Sequence, residues 1–260
     1  MIKHMKYITV NKEKASSIFR AYTNFYDSSN IKISLKISHT YRVSDISVRI
    51  ADFIGADGNF AWLLGLLHDI GRFEQIKRFD TFLDKNSIDH AEFGADILFQ
   101  EGMINEYLKA VDGMALEHRT IAEKAIRLHN KLDLPSDLSN NERLYTELLR
   151  DADKADIYRV LTEPPFDERN ERIRRSDTPA SEIIMRHVLE HKCVPKKYET
   201  TEFETLVSRL CMTFDVNFSK SRKIILEQGY LKELLDLDVK GAMKEQMDVV
   251  RDEIRKAWKI

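Results

Sequence analysis

The sequence is short of cysteine: Cys193 and Cys211 are its two thiols, and they form no CxxC pair. A disulfide framework is disfavoured, and free thiols in a reducing cytoplasm are expected. Glycine (9) and proline (5) are also scarce, and alternating apolar–polar runs, the mark of half-buried strands, are rare. Helical periodicity fills the space they leave, so the expected class is all-α. An excess of one charge is missing too. A net charge of −2 and a pI near 6.5 provide no basic field, which argues against a stable nucleic-acid partner. No apolar run approaches the ~20 residues of a membrane-spanning helix. The opening MIKHMKYITVNKEK has no apolar leader core. A cytoplasmic protein without a membrane partner is therefore expected. There is no internal repeat and no low-complexity segment.

What the chain does have is a long, mixed surface and enough apolar matter for a sizeable core. Hydrophobic residues make up 43% of 260, and charged residues 32%, of both signs. That length suits one large domain or a core with an appendage. The expected organisation is an N-terminal helix over 1–30 packing on the core, a helical core over 31–161, and a C-terminal helical extension over 162–260.

The stretch AWLLGLLHDIGRF, Ala61 to Phe73, is the most informative. Trp62, Leu63, Leu64, Leu66 and Leu67 are apolar on every side, so this helix should be buried all round. It ends on His68 and Asp69 and so carries an imidazole and a carboxylate inward. Such groups are costly to bury unless paired, hydrogen-bonded or bound to a metal. Neighbours in sequence do not share a helix face, so both can meet one centre only where the helix ends, and Gly71 supports an end there.

The remaining helices follow from their periods. Asn11–Asp27 should place Ile18, Tyr22 and Phe25 on one face. Ile31–Ile54 carries Leu35, His39, Val43, Ile46 and Ile50 at spacings of 4, 4, 3 and 4, with His39 inside the apolar stripe. Arg72–Asn86 reads as polar and irregular. Ser87 can cap a helix to about Gln100, with His90, Gly94 and Ile97 on one face. Gly94 makes sense there if a helix or ligand approaches closely, because glycine otherwise costs a helix about 1 kcal/mol. Asn105–Val111 is a short helix. Thr120–Lys131 places His129 with Ala122, Ala125 and Ile126; His118, next to Glu117, is its rival. Glu142–Leu161 aligns Tyr145, Leu149, Asp153, Asp156 and Val160. Asp151 is the alternative to Asp153 and reads as more solvated, beside Arg150 and Lys154. Glu168–Arg175 (ERNERIRR) reads as a solvated, basic segment near a site mouth. Helices over Ala180–Lys192 and Glu202–Met212, then a pair over Ser221–Trp258, complete the chain. His187 and His191 form an i, i+4 pair without an evident third ligand, in ordinary helix packing.

His39, His68, Asp69, His90, His129 and Asp153 thus come from five helices to one core. Four imidazoles and two carboxylates are rarely buried without a common purpose. A metal centre supplies one, and mixed His/carboxylate donors suit first-row metals rather than calcium. The set exceeds what one tetrahedral zinc needs and fits two metals about 3.5–4 Å apart, bridged by a carboxylate and water.

These residues resemble the HD-domain superfamily of metal-dependent phosphohydrolases. Its H…HD…D pattern is carried by His39, His68-Asp69 and Asp153. DHAEFGADIL and AIRLHNK resemble the two inserts of the dinuclear branch, adding His90 and His129, and RDADKADI resembles its closing helix. The resemblance covers about Ile31 to Val160. It implies an HD-domain helical core with additional C-terminal helices. It also implies two divalent transition metals, iron or manganese first, with cobalt, nickel or zinc also compatible. In that scheme Asp69 bridges, His39, His68 and Asp153 hold one metal, and His90 and His129 hold the other. The implied activity is hydrolysis of a phosphomonoester, nucleotide or phosphodiester by a metal-activated water. Arg72, and more weakly Lys131 or Lys154, would reach an anionic oxygen of the small phosphorylated substrate. The sequence lacks the acidic pair that follows HD in guanosine tetraphosphate hydrolases and the Gly-Tyr-Pro signature of cyclic-di-GMP phosphodiesterases. His129-Asn130 departs from the His-Thr usual in diadenosine tetraphosphate hydrolases. The same ligand set is compatible with a di-iron oxygenase or a non-catalytic nucleotide-binding module. The C-terminal helices are candidates to cover the site or to form a homodimer interface.

Overall fold

A computed structural model describes residues 6–259. The first five residues, part of the stretch read above for a leader, lie outside the described residues. Two residue pairs, β1 (Thr9–Val10) and β2 (Val111–Asp112), form a minimal antiparallel ladder, with Thr9 opposite Asp112 and Val10 opposite Val111. All other regular structure among the described residues is helical, as expected. No helix among the described residues is long and apolar enough to cross a membrane. The chain divides inside one long helix into two units, Met1–Asp153 and Lys154–Ile260.

The first unit is built around α3 (Gly58–Leu67). Its residues from Phe60 to Leu67 are all buried, and an apolar side chain of this size stabilises the fold by roughly 1.5–3 kcal/mol when removed from water. Asp57 starts the helix: its Oδ1 accepts from the Asn59 and Phe60 amides, and its Oδ2 accepts from the Ile8 amide at 2.7 Å. Across α3 runs α2 (Ile31–Ile54), capped by the Asn30 side chain and ended by Gly55 in the left-handed region. The two helices touch at backbone distance, since a Cβ on Gly65 would lie 2.5 Å from Ser44 Cα.

α1 (Lys12–Thr23) packs against this pair. Its buried face is Ala15, Phe19 and Thr23, and Phe19 meets the edges of Tyr41 and Phe73. Phe25 was expected on that face but lies past the helix end and is 81% exposed; Tyr26 turns inward in its place.

Gly71 does not end a helix. The break falls at Asp69 (φ −106°, ψ 17°), and the chain re-enters a helix, α4 (Ile70–Phe79), through a segment expected to be irregular. Gly71 serves a close approach instead: a Cβ there would run into His90 O and sit 2.6 Å from Gly94 N. Gly94 belongs to α5 (His90–Ala95), which meets α4 at this point, as the position of a glycine inside that helix suggested. Asp89, not Ser87, caps α5, accepting from the Ala91 and Glu92 amides. A π-helical turn, Asp96–Gln100, continues it. α6 (Ile104–Leu108), α7 (Leu116–Leu128) and α8 (Asn140–Val160) follow.

The second unit begins within α8 and adds α9 (Phe166–Arg175), α10 (Glu182–Leu189), α11 (Glu202–Leu210), α12 (Ser219–Gln228), α13 (Tyr230–Leu235) and α14 (Gly241–Trp258). Gly229 and a turn after Leu235 make three helices of the expected C-terminal pair. Its core includes Ile184, Val188, Leu206, Val207, Met243, Met247, Val250 and Ile254. The basic α9 is less solvated than its composition suggests: Arg169 and Asn170 are buried.

Candidate metal centre

Each candidate donor reaches the centre for a local reason. His39 is carried on the buried stripe of α2. His68 follows the last residue of α3, and Asp69 occupies the break before α4, so the two neighbours escape the divergence a continuous helix would impose. His90 opens α5 under the Asp89 cap. His129 follows the end of α7, where Arg150 donates to the carbonyls of Leu128, Lys131 and Leu132 and holds the helix end in place. Asp153 comes from α8.

The six side chains meet around Asp69, whose two oxygens face different groups. Oδ2 lies 3.2 Å from His68 Nε2 and 3.6 Å from His39 Nε2. Asp153 Oδ1 completes that group, 3.1 Å from His39 Nε2 and 3.8 Å from His68 Nε2. Oδ1 of Asp69 lies 3.5 Å from His90 Nε2 and 3.8 Å from His129 Nε2. His39, His68 and Asp153 form one constellation able to hold a metal ion, and His68, Asp69 and His129 an overlapping one.

The proton placement follows from the partners of the other ring nitrogens. His68 Nδ1 is 2.7 Å from Gly65 O, His129 Nδ1 is 2.7 Å from Ile126 O, and His90 Nδ1 is 2.9 Å from both oxygens of Asp84. Carbonyls and carboxylates only accept, so each Nδ1 carries the proton and donates it. Burial lowers the His90 imidazole to about 4, with Arg72 adding to the effect. Burial, then His90 and His68, lowers His129 to about 3. Both rings are therefore neutral near pH 7, and each Nε2 presents a lone pair. Those two nitrogens face each other at 3.1 Å with no proton to share, and His68 Nε2 is buried without a hydrogen-bond partner. Converging lone pairs beside carboxylates are what a cation would satisfy, so the donor set fits a metal.

The carboxylates match. Burial would raise the Asp69 carboxyl, but the Lys36 ammonium at 2.6 Å opposes it, and the group is held well below the usual range. Asp153 is likewise lowered, burial being outweighed by the hydrogen bond with His39.

Two rivals differ from these donors in their contacts. His118 accepts from the Ala115 amide at Nδ1, reaches Lys6 O at 2.8 Å through Nε2, and packs edge-on against Phe60. It is a satisfied core histidine. Asp151 is fully buried rather than more solvated, yet Asp153 is the residue whose carboxylate meets His39. His187 and His191 do not form a pair of donors. His191 binds Glu253 Oε2 at 2.8 Å and stacks on Phe214, while His187 lies beside Tyr198.

Arg72 is engaged behind the centre. Its Nη1 donates to Gln75 Oε1, Phe82 O and Asp84 Oδ1, and its Nε lies 3.6 Å from Asp69 Oδ1. Lys131 is paired with Asp89 and Glu92, and Lys154 with Asp215. Two residues escaped sequence reasoning. Asp84 backs His90 and also accepts from Gln75 Nε2 and Asn130 Nδ2; it sits in a segment with no helical period to place it. Lys36 donates to Asp69 Oδ2 at 2.6 Å; its position one turn before His39 was the available signal.

Residues 37–161 match the family model described as HD domain. No curated protein and no solved structure matches the chain significantly.

Proposed function

We infer, from the chain's membership of the HD-domain superfamily through residues 37–161, that it is a metal-dependent phosphohydrolase acting on a phosphate ester at a dinuclear centre. One observation carries this reading: Asp69 turns one oxygen toward His39 and His68, which Asp153 joins, and the other toward His90 and His129. A carboxylate so placed suits a bridge between two cations. Two divalent ions held there, iron or manganese first, would supply Lewis acidity that makes water nucleophilic near neutral pH and offsets the charge of a phosphoryl group.

The chain's own residues do the positioning. The Nδ1–H donations of His68, His90 and His129 fix ring orientation and tautomer, which raises their basicity as donors. Asp84, held by Arg72 and Gln75, does this for His90 with a full negative charge. Arg72 thus acts through Asp84 and Asp69. Burial of His39, His68, Asp69, His90 and His129 keeps bulk water away from these donors, which strengthens every electrostatic interaction among them.

The test is metal analysis of wild type beside a His90→Ala, His129→Ala double variant, followed by a phosphate-ester panel. About two metals per chain falling to about one is expected on this bridge geometry. Manganese- or iron-dependent phosphate release under argon should accompany it. A folded protein that takes up no added manganese or iron would remove the basis of the reading.

A further inference from the structure

The centre holds a cation that the hydrolytic scheme does not yet use. Lys36 lies one turn before His39 on α2, is 8% exposed, and points its ammonium at Asp69 Oδ2 from 2.6 Å. The Phe82 ring lies 5.7 Å from its Nζ, so its surroundings combine a carboxylate with an aromatic wall. Arg72 approaches the same ring, but its Nη1 is spent on Asp84, Gln75 and a carbonyl. The side chains of His39, His68 and Asp69 are 0–2% exposed, whereas Lys36 and Asp153 are 11% and 15% exposed; Arg72 and Asp84, at 11% and 14%, form a second exposed edge on the His90 side. Lys36 thus stands at one mouth through which solvent reaches the centre.

A buried ammonium needs a compensating anion. Without metal that anion is Asp69. Two divalent cations drawing on Asp69 and Asp153 would leave an excess of two positive charges, and Lys36 would make it three. Asp69 alone no longer balances the ammonium under those conditions, and the ligand that enters the mouth must.

We propose that Lys36 is a substrate-binding residue, holding a non-bridging oxygen of the phosphoryl group, and that the site is built for a phosphomonoester dianion in preference to a phosphodiester. The proposal rests on the hydrolytic reading above. A monoester brings two negative charges and three non-bridging oxygens, enough to meet both the centre and Lys36. A diester brings one charge, and its second ester arm would set an apolar group against the ammonium. In the reaction, the oxygen of water forms a bond to phosphorus and the ester P–O bond to the leaving group breaks. The water proton ends on the leaving oxygen, yielding an alcohol and inorganic phosphate. Lys36 holds an oxygen that neither leaves nor attacks and exchanges no proton.

Inorganic phosphate carries the same dianion and serves as the probe. Manganese-loaded wild type, Lys36→Met and Lys36→Arg are compared in three ways. These are metal content, phosphate affinity by calorimetry, and kcat/KM for p-nitrophenyl phosphate against bis(p-nitrophenyl) phosphate. Unchanged metal content is expected throughout. Loss of one charge-assisted hydrogen bond should weaken phosphate binding by roughly 10-fold or more in Lys36→Met, and lower the monoester-to-diester ratio similarly. Lys36→Arg should stay within roughly threefold of wild type, since it keeps the charge. Unchanged phosphate affinity and ratio in folded Lys36→Met would overturn the proposal. Loss of metal in that variant would overturn it too, assigning Lys36 to the support of Asp69. A Lys36→Met chain that does not fold is replaced by Lys36→Gln under the same criteria. Wild type that loads metal but neither binds phosphate nor cleaves either ester would instead reject the hydrolytic reading itself.

Discussion

Each unit of this protein buries a carboxylate, and the two solve the problem in opposite ways. In the second unit, Glu204 of α11 is 2% exposed and surrounded by donors. Its Oε1 accepts from Ser181 N and Oγ, and its Oε2 from the amides of Thr200 and Thr201 and the Thr200 hydroxyl. Nothing is left unsatisfied there, and the network ties the start of α11 to the segment before α10. In the first unit, Asp69 faces the Nε2 atoms of His68, His90 and His129, which present lone pairs rather than protons, with Lys36 as a donor. The Glu204 network stabilises the fold as it stands, as a fully connected polar network should. The Asp69 cluster leaves lone pairs that a cation would satisfy. Burial alone does not distinguish a functional polar cluster from a structural one; the direction in which the hydrogen bonds point does.

That contrast can be broken most forcefully at Asp69. Asp69→Asn should remove the bridge and lower phosphate-ester turnover by roughly 10³-fold or more, with metal content falling. The thermal midpoint of the metal-free form should fall as well, because Lys36 loses its carboxylate. A variant that keeps both metals and full turnover would show that the two donor groups do not share this carboxylate.

A smaller effect is expected one layer out. Asp84→Asn keeps an acceptor for His90 Nδ1 but removes the charge behind it. Affinity for the metal on the His90–His129 side should fall by about 10–100-fold, read by metal titration, while the His39 side remains loaded. Equal loss at both would place Asp84 in general packing instead.

Glu204→Gln sharpens the other half of the comparison. It should cost the second unit roughly 2 kcal/mol, from weakened charged hydrogen bonds, and leave metal content unchanged. The pH dependence follows the same logic. Burial tends to raise the Glu204 carboxyl, but the Ser181 and Thr200 donors hold it down to about 2, against an ordinary value of 4.5. The unfolded chain then binds the extra proton first, so this stability is complete above about 4.5 and is lost as the pH falls toward 2. Denaturation profiles of wild type and Glu204→Gln should converge across that window; parallel profiles would contradict the assignment.

The smallest effect belongs to the histidines that look most like a metal motif by spacing. A His187→Ala, His191→Ala double variant should retain the wild-type metal content. It should lose about 1 kcal/mol or less, since the His191–Glu253 pair is partly exposed. Loss of metal would mean that the i, i+4 spacing outweighs the contacts.

Much of this was legible in the residues. The all-round apolar run from Trp62 to Leu67 marked the central helix, and its abrupt end on His68 and Asp69 marked where two adjacent polar groups could turn inward. The helical phases of His39, His90, His129 and Asp153 placed each on a core face. Gly94 pointed to a close approach, which proved to be the backbone of Gly71. Other features carried no periodic signal. Asp84 lies in a 3-10 turn, where no period relates it to His90. Asp151 looked solvated because charged neighbours flank it in sequence, although Arg150 folds over the end of α7. The short helices of the C-terminal region were run together because Gly229 and the turn after Leu235 interrupt a pattern that stays amphipathic on both sides.

The sequence by itself determined the helical class, the buried central run and the residue types able to meet a metal, because these depend on composition and on a period of 3.6 residues. Which of two nearby histidines or aspartates meets the other donors, which oxygen of Asp69 faces which of them, and where Lys36 and Asp84 stand were decided only in the tertiary structure. Those outcomes depend on how helices far apart in the chain cross, and on the partner that fixes each ring nitrogen, neither of which any local pattern encodes.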